Sequence, residues 1–303
     1  MGPMLIALIL AVQIATPSPR SFEVKEVGPG VFAAIADAAD ESSLGNAGFV
    51  VGSEAVLVVD AFATPEAAQR LLSAIRSRTP LPVRFAVLTH FHRDHMGGSA
   101  VFAKAGATVL AHENVRAWAR REWQTDLTEK QRAQYAALRL PDVTYRDRVS
   151  LWLGDRAVEV FHRAGHSGSD SIVSVPDARV VFGGDLVQNS SIPAMTVANS
   201  DAWVTTLDGL LRAYPDATFV PGHGRPGKAL DVRFFRDYLR GLRLAVTRAM
   251  GEGKSGSDLV EAVKPQLAER YARWPGFERV DRNIADMEAE LKGTKAYPPA
   301  PSP

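Results

Sequence analysis

Residues 89–98 read Thr89-His90-Phe91-His92-Arg93-Asp94-His95-Met96-Gly97-Gly98 and directly follow an apolar segment that predicts a buried strand, Val83 to Leu88. In an extended segment alternate side chains share a face, so His90 and His92 are expected to point the same way. Asp94 and His95 fall where the chain turns into a helix, and the two glycines allow that turn without a Cβ clash. A single histidine here would usually be a hydrogen-bonded core or surface residue. Three histidines and an aspartate within six residues predict a metal site.

Three further candidate ligands follow, each after an apolar strand and each flanked by glycine. They are His166 in Gly165-His166-Ser167-Gly168, Asp185 in Gly183-Gly184-Asp185, and His223 in Pro221-Gly222-His223-Gly224. Residues at the carboxyl ends of strands in an α/β sheet gather at one edge, where active sites form. Alone, each is as consistent with a turn residue as with a ligand. Together with the first cluster they give seven candidate ligands, a number that suits two ions sharing one carboxylate.

With its ligands in this order the sequence resembles the metallo-β-lactamase superfamily, over residues 22–230. The resemblance implies an α/β fold, a four-layer αββα sandwich with the site at one edge, here followed by a C-terminal helical extension. It also implies how the ligands divide between two ions: His90, His92 and His166 on one, Asp94, His95 and His223 on the other, and Asp185 as the bridge.

The implied chemistry is hydrolysis. Two divalent ions about 3.5–4 Å apart can share a hydroxide and polarise the bond to be cleaved, which needs no serine or cysteine nucleophile. We therefore expect a metal-dependent hydrolase that uses a metal-bridging hydroxide on an ester, thioester, lactone or amide bond. Asp94 is the expected catalytic residue, orienting the attacking oxygen and passing its proton to the leaving group. Imidazole and carboxylate ligands favour zinc, with iron or manganese as alternatives.

Asp185 bears on the branch of the superfamily. True metallo-β-lactamases typically carry Cys or Ser at that position, whereas glyoxalase II-like thioesterases, lactonases and related hydrolases carry Asp. The resemblance therefore favours the second group, with exported metallohydrolases among its relatives. The alternatives are a β-lactamase that acts on β-lactam antibiotics, a dioxygenase that uses iron, and a metal-binding or interaction protein without turnover. A serine β-lactamase is not supported, because the chain contains no Ser-x-x-Lys sequence.

The composition excludes several other classes. The 303 residues are 46% hydrophobic and 23% charged, as in an ordinary globular protein. A net charge of +1, without a run of Lys or Arg, gives no reason to expect nucleic-acid binding. The absence of cysteine excludes disulfides, thiolate nucleophiles and Cys-bound metals. We expect a small-molecule substrate, and the sequence leaves the oligomeric state open.

The chain divides into four predicted segments. Residues 1–20 contain an apolar run, Met4 to Val12, which is too short to span a bilayer and is typical of a signal peptide. This predicts an exported protein, periplasmic or secreted, without stable membrane insertion; a strand or helix of the fold is the alternative. Residues 21–230 form the predicted catalytic domain, 231–292 a helical extension, and 293–303 a Pro-rich disordered tail.

Residues outside the ligand set each have two interpretations. Asp60, at the end of an apolar strand, either orients a ligand histidine or caps the strand. His112 lies where it could line the edge of the site, while His162 is expected to be structural. Aromatic residues that either wall the substrate cleft or pack in the core are Trp118, Trp123 and Tyr135. Basic residues that either recognise an anionic substrate group or form a solvated helix face are Arg225, Arg233 and Arg236.

Overall fold

The computed structural model describes residues 21–37, 40–122, 128–129 and 138–298, which form two sheets and two groups of helices. The first sheet contains β1 (Phe22–Gly28), β2 (Val31–Ala36), β3 (Ala47–Val51), β4 (Val56–Val59), β5 (Val83–Val87), β6 (Thr108–His112) and β7 (Val143–Tyr145). The second contains β8 (Arg148–Trp152), β9 (Ala157–His162), β10 (Ser171–Val175), β11 (Val180–Gln188) and β12 (Thr218–His223). The helices are α1 (Pro65–Arg76), α2 (Arg93–Met96), α3 (Ser99–Lys104), α4 (Glu113–Glu122), α5 (Ser200–Ala213), α6 (Ala229–Gly251), α7 (Gly256–Tyr271) and α8 (Val280–Leu291).

Both sheets are mixed. The first has the order β1-β2-β3-β4-β5-β6-β7, with β1 to β4 antiparallel and β4 to β7 parallel. The second has the order β12-β11-β10-β9-β8, with β11 and β12 parallel and the others antiparallel. Parallel neighbours place their carboxyl ends at the same edge of their sheet. In the first sheet β5 ends at that edge, and in the second sheet β11 and β12 end there.

Three apolar clusters define the layers. The middle cluster joins the two sheets, with Leu57 and Val87 from the first and Val160 and Val180 from the second. A second cluster packs α1, α3 and α4 onto the outer face of the first sheet. A third packs α5 and the three C-terminal helices onto the outer face of the second sheet. The predicted α/β fold, a four-layer αββα sandwich with C-terminal helices, is therefore confirmed.

The helix α1 begins where the sequence indicates. The Thr64 hydroxyl accepts a hydrogen bond from the backbone N–H of Ala67 at 3.3 Å, and Pro65 occupies the first helical position, where its missing N–H costs nothing. Leu71, Leu72 and Ile75 are buried in the cluster against the first sheet. The α5 helix and the C-terminal helices also lie where periodicity predicts them. Within residues 113–140, α4 covers Glu113–Glu122, and residues 123–127 and 130–137 lie outside the described residues.

The strand β11 is longer than the sequence predicts. Gly183-Gly184 was expected to end it after Phe182, but the strand continues to Gln188. Its parallel pairing with β12 persists past the glycines through an irregular register, where Gly184 adopts a φ of 49°. The prediction that Asp185 follows the strand is therefore wrong, because such an irregularity resembles a strand end when only local sequence is considered.

The C-terminal helices share one apolar cluster with the second sheet and are not a detached appendage. Lys295 falls in the segment predicted as a disordered tail, yet its side chain is buried and donates to the carbonyls of Met195 and Ala198 at 2.7 and 2.6 Å. Residues 299–303 lie outside the described residues, as does the predicted signal segment 1–20. Among the described helices none is long and apolar enough to cross a bilayer.

Candidate metal centre

The first group of predicted ligands comes together at the carboxyl edge of the sheets. His90 follows β5, His92 stands two residues later at the start of α2, and His166 lies in the loop between β9 and β10. The Nδ1 atom of His92 is 3.0 Å from His90 Nε2 and 2.9 Å from His166 Nε2. With Asp185 these side chains place one ligand atom each within 4.8 Å of one another. His90 and His166 are 1% exposed, so these nitrogens converge away from bulk water.

The second group faces the first from α2 and β12. Asp94 and His95 are carried by α2, and His223 is the last residue of β12. Asp94 Oδ2 lies 3.2 Å from His223 Nε2 and 3.5 Å from His95 Nε2. These three side chains also place one ligand atom each within 4.8 Å of one another.

Asp185 lies between the two groups. Its Oδ1 is 3.1 Å from His95 Nε2, and its Oδ2 is 3.4 Å from His223 Nε2 and 3.5 Å from His166 Nε2. The backbone around it is closely packed, since a Cβ on Gly222 would lie 1.9 Å from Asp185 Oδ1. Glycine at that position therefore makes room for the carboxylate. The structure thus brings all seven predicted residues to one place, with Asp185 where a bridging ligand would have to be.

The donor set fits divalent metal ions. His95 Nε2 and Asp185 Oδ1 are buried within the centre and have no hydrogen-bond partner among the described residues. Buried polar atoms without partners are unfavourable unless something else satisfies them. Imidazole nitrogens and carboxylate oxygens are the ligands that zinc, iron and manganese take in proteins. We call these seven residues the metal centre below.

The electrostatics of the centre match that donor set for His166 and the two carboxylates, whereas His223 carries a proton that a bound ion would displace. Burial lowers the pKa of His166 to about 3, so this imidazole is neutral and its nitrogen lone pair is available. Burial raises the pKa of Asp185, but the imidazoles of His223, His95 and His166 outweigh it and hold that pKa well below its usual range. Burial also lowers the pKa of His223, yet the carboxylates of Asp185 and Asp94 raise it to about 10. The two carboxylates are therefore ionised at neutral pH, as metal ligands must be.

Asp60 supports the centre from behind. Its Oδ2 accepts a hydrogen bond from His95 Nδ1 at 2.9 Å and another from the Thr89 hydroxyl at 2.8 Å. Its Oδ1 accepts from the Thr89 backbone N–H at 2.7 Å. The contact to His95, a predicted ligand, agrees with the first interpretation of Asp60, whereas the contacts to Thr89 hold the end of β5 and not of β4, the strand that precedes Asp60. The backbone of Asp60 lies in the left-handed region, at a φ of 60°. This is a strained conformation of the kind that concentrates at functional sites.

A cleft of about 290 Å³ opens onto the metal centre. Metal-centre residues that line it are His92, Asp94, His166, Asp185 and His223. The lining also includes a short segment, Ile192, Pro193 and Ala194, of which only Ala194 is exposed, and which we call the cleft wall. Polar residues that complete the lining are Arg93, Gln188 and Arg279. Gln188 and Arg279 were not singled out from the sequence, and neither was Thr89.

The remaining histidines and Trp118 lie elsewhere. His112 and His162 stack on each other with ring centroids 3.9 Å apart, and His162 Nδ1 donates to the Asp170 carbonyl at 2.7 Å. Neither lines the cleft. Trp118 is 6% exposed and packs edge-on against Phe91 in the core beside the first sheet. Trp123 and Tyr135 lie outside the described residues.

The three predicted arginines do not line the cleft. Arg236 is bound to Asp208 at 2.9 Å and to Asp237 at 2.8 Å. Arg225 lies 3.9 Å from Glu23, and Arg233 is exposed on α6. The hypothesis that they recognise a substrate anion in this cleft is therefore wrong, because α6 carries Arg233 and Arg236 away from the centre.

Comparison with known proteins agrees with this geometry. The family model of the metallo-beta-lactamase superfamily matches residues 42–223. The chain is 23% identical over 261 residues to a linear primary-alkylsulfatase of a Pseudomonas strain, covering 71% of this chain and 49% of that protein. It is 25% identical over 180 residues to a type 2 metallo-beta-lactamase of Bacillus cereus, covering 58% and 65%. It is 27% identical over 226 residues to an acyl-coenzyme A thioesterase of Gallus gallus, covering 67% and 80%.

Among solved structures, a metallo-beta-lactamase from Pontibacter korlensis aligns with a TM-score of 0.62 at 22% identity, over 72% of this chain and 99% of that one. This likeness concerns the fold. The chain spans about half the length of the alkylsulfatase and 65% of the Bacillus cereus enzyme. The family model covers more than half of the present chain and ends at His223, the last of the seven residues of the metal centre. The chain belongs to the metallo-β-lactamase superfamily.

Proposed function

We propose that the chain is a metal-dependent hydrolase that holds two zinc ions and cleaves an ester, thioester, lactone or amide bond in a small molecule. His90, His92 and His166 would hold one ion and Asp94, His95 and His223 the other, with Asp185 shared between them. The observation that carries this proposal is the position of Asp185, whose two oxygens face the imidazoles of both groups at the floor of an open cleft.

Two bound ions would supply Lewis acidity and lower the pKa of a water molecule in the cleft. Asp94 has the geometry to handle that proton. It lines the cleft, and its side chain is 23% exposed. Burial raises its pKa, but His95 and the hydrogen bond from His223 outweigh burial and keep it well below its usual range. The ionised carboxylate is therefore able to accept a proton from the attacking oxygen and to deliver it to the leaving group.

The bond class rests on the relatives and on Asp185. The similar proteins include a sulfatase, a thioesterase and β-lactamases, so the fold is compatible with several leaving groups. An aspartate at position 185 favours the glyoxalase II-like branch over true β-lactamases. A β-lactamase remains the second candidate, supported by the similarity to the Bacillus cereus enzyme. We further propose that the protein is exported, on the apolar run in residues 1–20.

A substrate panel on protein of known metal content tests the proposal. Zinc-loaded protein should contain close to two ions per chain and should hydrolyse at least one member of a panel of thioesters, lactones, esters and β-lactams. Removal of zinc by a chelator should abolish turnover, and added zinc should restore it. Equal turnover by the metal-free protein would contradict the proposal. If no panel member is hydrolysed by the loaded protein, the interpretation as a binding protein without turnover replaces it.

Asp94→Asn tests the catalytic assignment. The loss of a positioned proton acceptor should reduce kcat by about 100-fold or more while the fold is retained. Asp201→Asn is the matched control, since Asp201 is exposed in the first turn of α5, outside the cleft. Metal content must be measured for both variants, because Asp94 also belongs to the metal centre. An Asp94→Asn protein with full metal content and undiminished kcat would refute the role of Asp94.

A further inference from the structure

Arg279 belongs to the cleft although it lies far from the metal centre in sequence. It ends a short 3-10 turn, Phe277–Arg279, between α7 and α8. That turn lies in the C-terminal helices, beyond residue 223 where the family match ends. Nevertheless Arg279 lines the same cleft as His92, Asp94 and His223. The C-terminal helices therefore contribute a cation to the place where the substrate must bind.

The guanidinium of Arg279 is held in position. Its Nη1 donates to the carbonyl of Ile192 at 3.1 Å, which ties it to the cleft wall. It also packs over Gly276, where φ is 85° and a Cβ would lie 2.8 Å from Nη1. The Ile192 N–H in turn donates to the Pro275 carbonyl at 2.9 Å. An arginine fixed in this way loses less side-chain entropy on binding a ligand than a free surface arginine would.

The positive charge of Arg279 is not compensated within the described part of the chain. Its one side-chain hydrogen bond there is to a main-chain carbonyl, and no carboxylate pairs with it. Arginines on the neighbouring helices differ, since Arg282 is bound to Asp286 at 3.0 Å and Arg243 to Glu290 at 3.1 Å. Arg279 is exposed at the cleft, so its remaining N–H groups are accessible to a ligand.

We propose that Arg279 is a specificity-determining residue that recognises an anionic group, a carboxylate or a sulfate, on the substrate. This rests on the proposed function, because it places the bond to be cleaved at the metal centre. Guanidinium matches the geometry of both anions and can form two parallel hydrogen bonds to either. The small cleft suits a short substrate, since about 300 Å³ is the lower end of the range for ligand pockets.

Binding of a probe that cannot be hydrolysed tests this inference separately from catalysis. Calorimetry on the zinc-loaded protein would measure hexane-1-sulfonate, a weak metal ligand, against wild type and Arg279→Met. The variant should bind about tenfold more weakly, as expected for a charge-assisted contact at a partly exposed site. Arg273→Met is the matched control, because Arg273 is exposed in the turn that follows α7 and does not line the cleft. Arg279→Lys should retain part of the affinity, which also guards against a misfolded variant.

Equal affinity of wild type and Arg279→Met for the sulfonate would overturn the proposal. Equal weakening of sulfonate binding by Arg273→Met would also overturn it. Heptanoate in the same titration compares the two anion classes. Because a carboxylate can also bind zinc directly, the anion whose affinity falls more in Arg279→Met identifies a sulfate-type or a carboxylate-type substrate. Wild-type protein that binds neither probe would also overturn it.

A matched pair of thioesters tests the same residue during turnover. The succinyl and butyryl thioesters of N-acetylcysteamine differ in one terminal group, a carboxylate against a methyl. The ratio of their kcat/KM values should favour the succinyl compound in wild type and should fall about tenfold in Arg279→Met. An unchanged ratio contradicts the proposal. If wild type hydrolyses neither thioester, the thioesterase part of the proposed function fails, and the sulfonate titration still decides the role of Arg279.

Discussion

Asp60→Asn is a sharp test of how the centre is built, because it exchanges one buried oxygen for an amide NH2 at nearly constant volume. Asp60 accepts three hydrogen bonds, from the Thr89 N–H, the Thr89 hydroxyl and His95 Nδ1. When the asparagine oxygen accepts the hydrogen bond from the Thr89 N–H, the asparagine NH2 faces His95 Nδ1. That nitrogen must then accept, so the imidazole proton moves to Nε2. Since Nε2 is the atom 3.1 Å from Asp185 Oδ1, the tautomer that results has lost its lone pair toward the metal centre.

The expected loss is large for the second ion and small for the first. Replacing the partner that orients a ligand histidine typically weakens metal binding 10–100-fold, which is about 1.4–2.8 kcal/mol. The metal-free protein should be affected less. Lost hydrogen bonds to a charged acceptor would cost about 1.5–3 kcal/mol each, but burial raises the pKa of Asp60, and removing that buried charge offsets part of the cost. In the proposed division of ligands the first ion does not use His95, so it should bind as in wild type.

Zinc titration against a chromophoric chelator measures both ions in one experiment. At a zinc concentration that just fills both sites of wild type, we expect two ions per chain for wild type and one for Asp60→Asn. Urea unfolding of the metal-free variant checks that the fold persists. Asp208→Asn is the control, since Asp208 pairs with Arg236 and Arg240 far from the cleft lining. If Asp60→Asn binds the second ion with wild-type affinity, the argument that Asp60 fixes the tautomer of His95 is refuted.

Three further perturbations follow from the packing. Burial and then His162 lower the pKa of His112 to about 4, so the folded protein binds a proton less readily than the unfolded chain and loses stability as pH falls from 6.5 to 4. His112→Phe should remove up to about 3 kcal/mol of that loss. An unchanged pH dependence of urea unfolding would contradict this. Lys295→Met leaves two main-chain carbonyls without their donor and removes one of the two cations beside Glu290. It should lower the unfolding free energy by about 2–4 kcal/mol, against no change if the tail is irrelevant. Gly222→Ala would push a Cβ into Asp185 and should reduce the zinc content, a prediction that full occupancy would disprove.

Much of the centre could be predicted from sequence because its information is local. The spacing of His90 and His92 follows from the strand period, and α2 begins immediately after them. His166 follows an apolar strand and His223 ends one, and each stands next to glycine, which is a pattern visible without knowing the partner strands. The sheet order and the face-to-face packing came from the family resemblance, since apolar strands alone do not reveal which strands pair.

The cleft itself could not be predicted, because its far side depends on long-range contacts. Arg279 has no local pattern that distinguishes it from the other basic residues of the helical extension. Arg225, Arg233 and Arg236 follow His223 closely in sequence, yet none of them lines the cleft. The extent of β11 was missed for a related reason, since its pairing past Gly184 is maintained by β12 and not by its own residues.

The segment that forms the cleft wall is held by the C-terminal helices through its main chain. Arg279 donates to the carbonyl of Ile192, and Asn283 Nδ2 donates to the carbonyl of Pro193 at 2.9 Å. Further along the segment, Lys295 donates to the carbonyls of Met195 and Ala198. Main-chain contacts do not depend on the side chains of the wall, so those side chains can vary without loosening it. The metal centre, by contrast, is built by the loops and strand ends of the two sheets. Under the two proposals above, reactivity and substrate choice reside on separate elements, so substitutions in the C-terminal helices should change which substrate is accepted before they change the metal content.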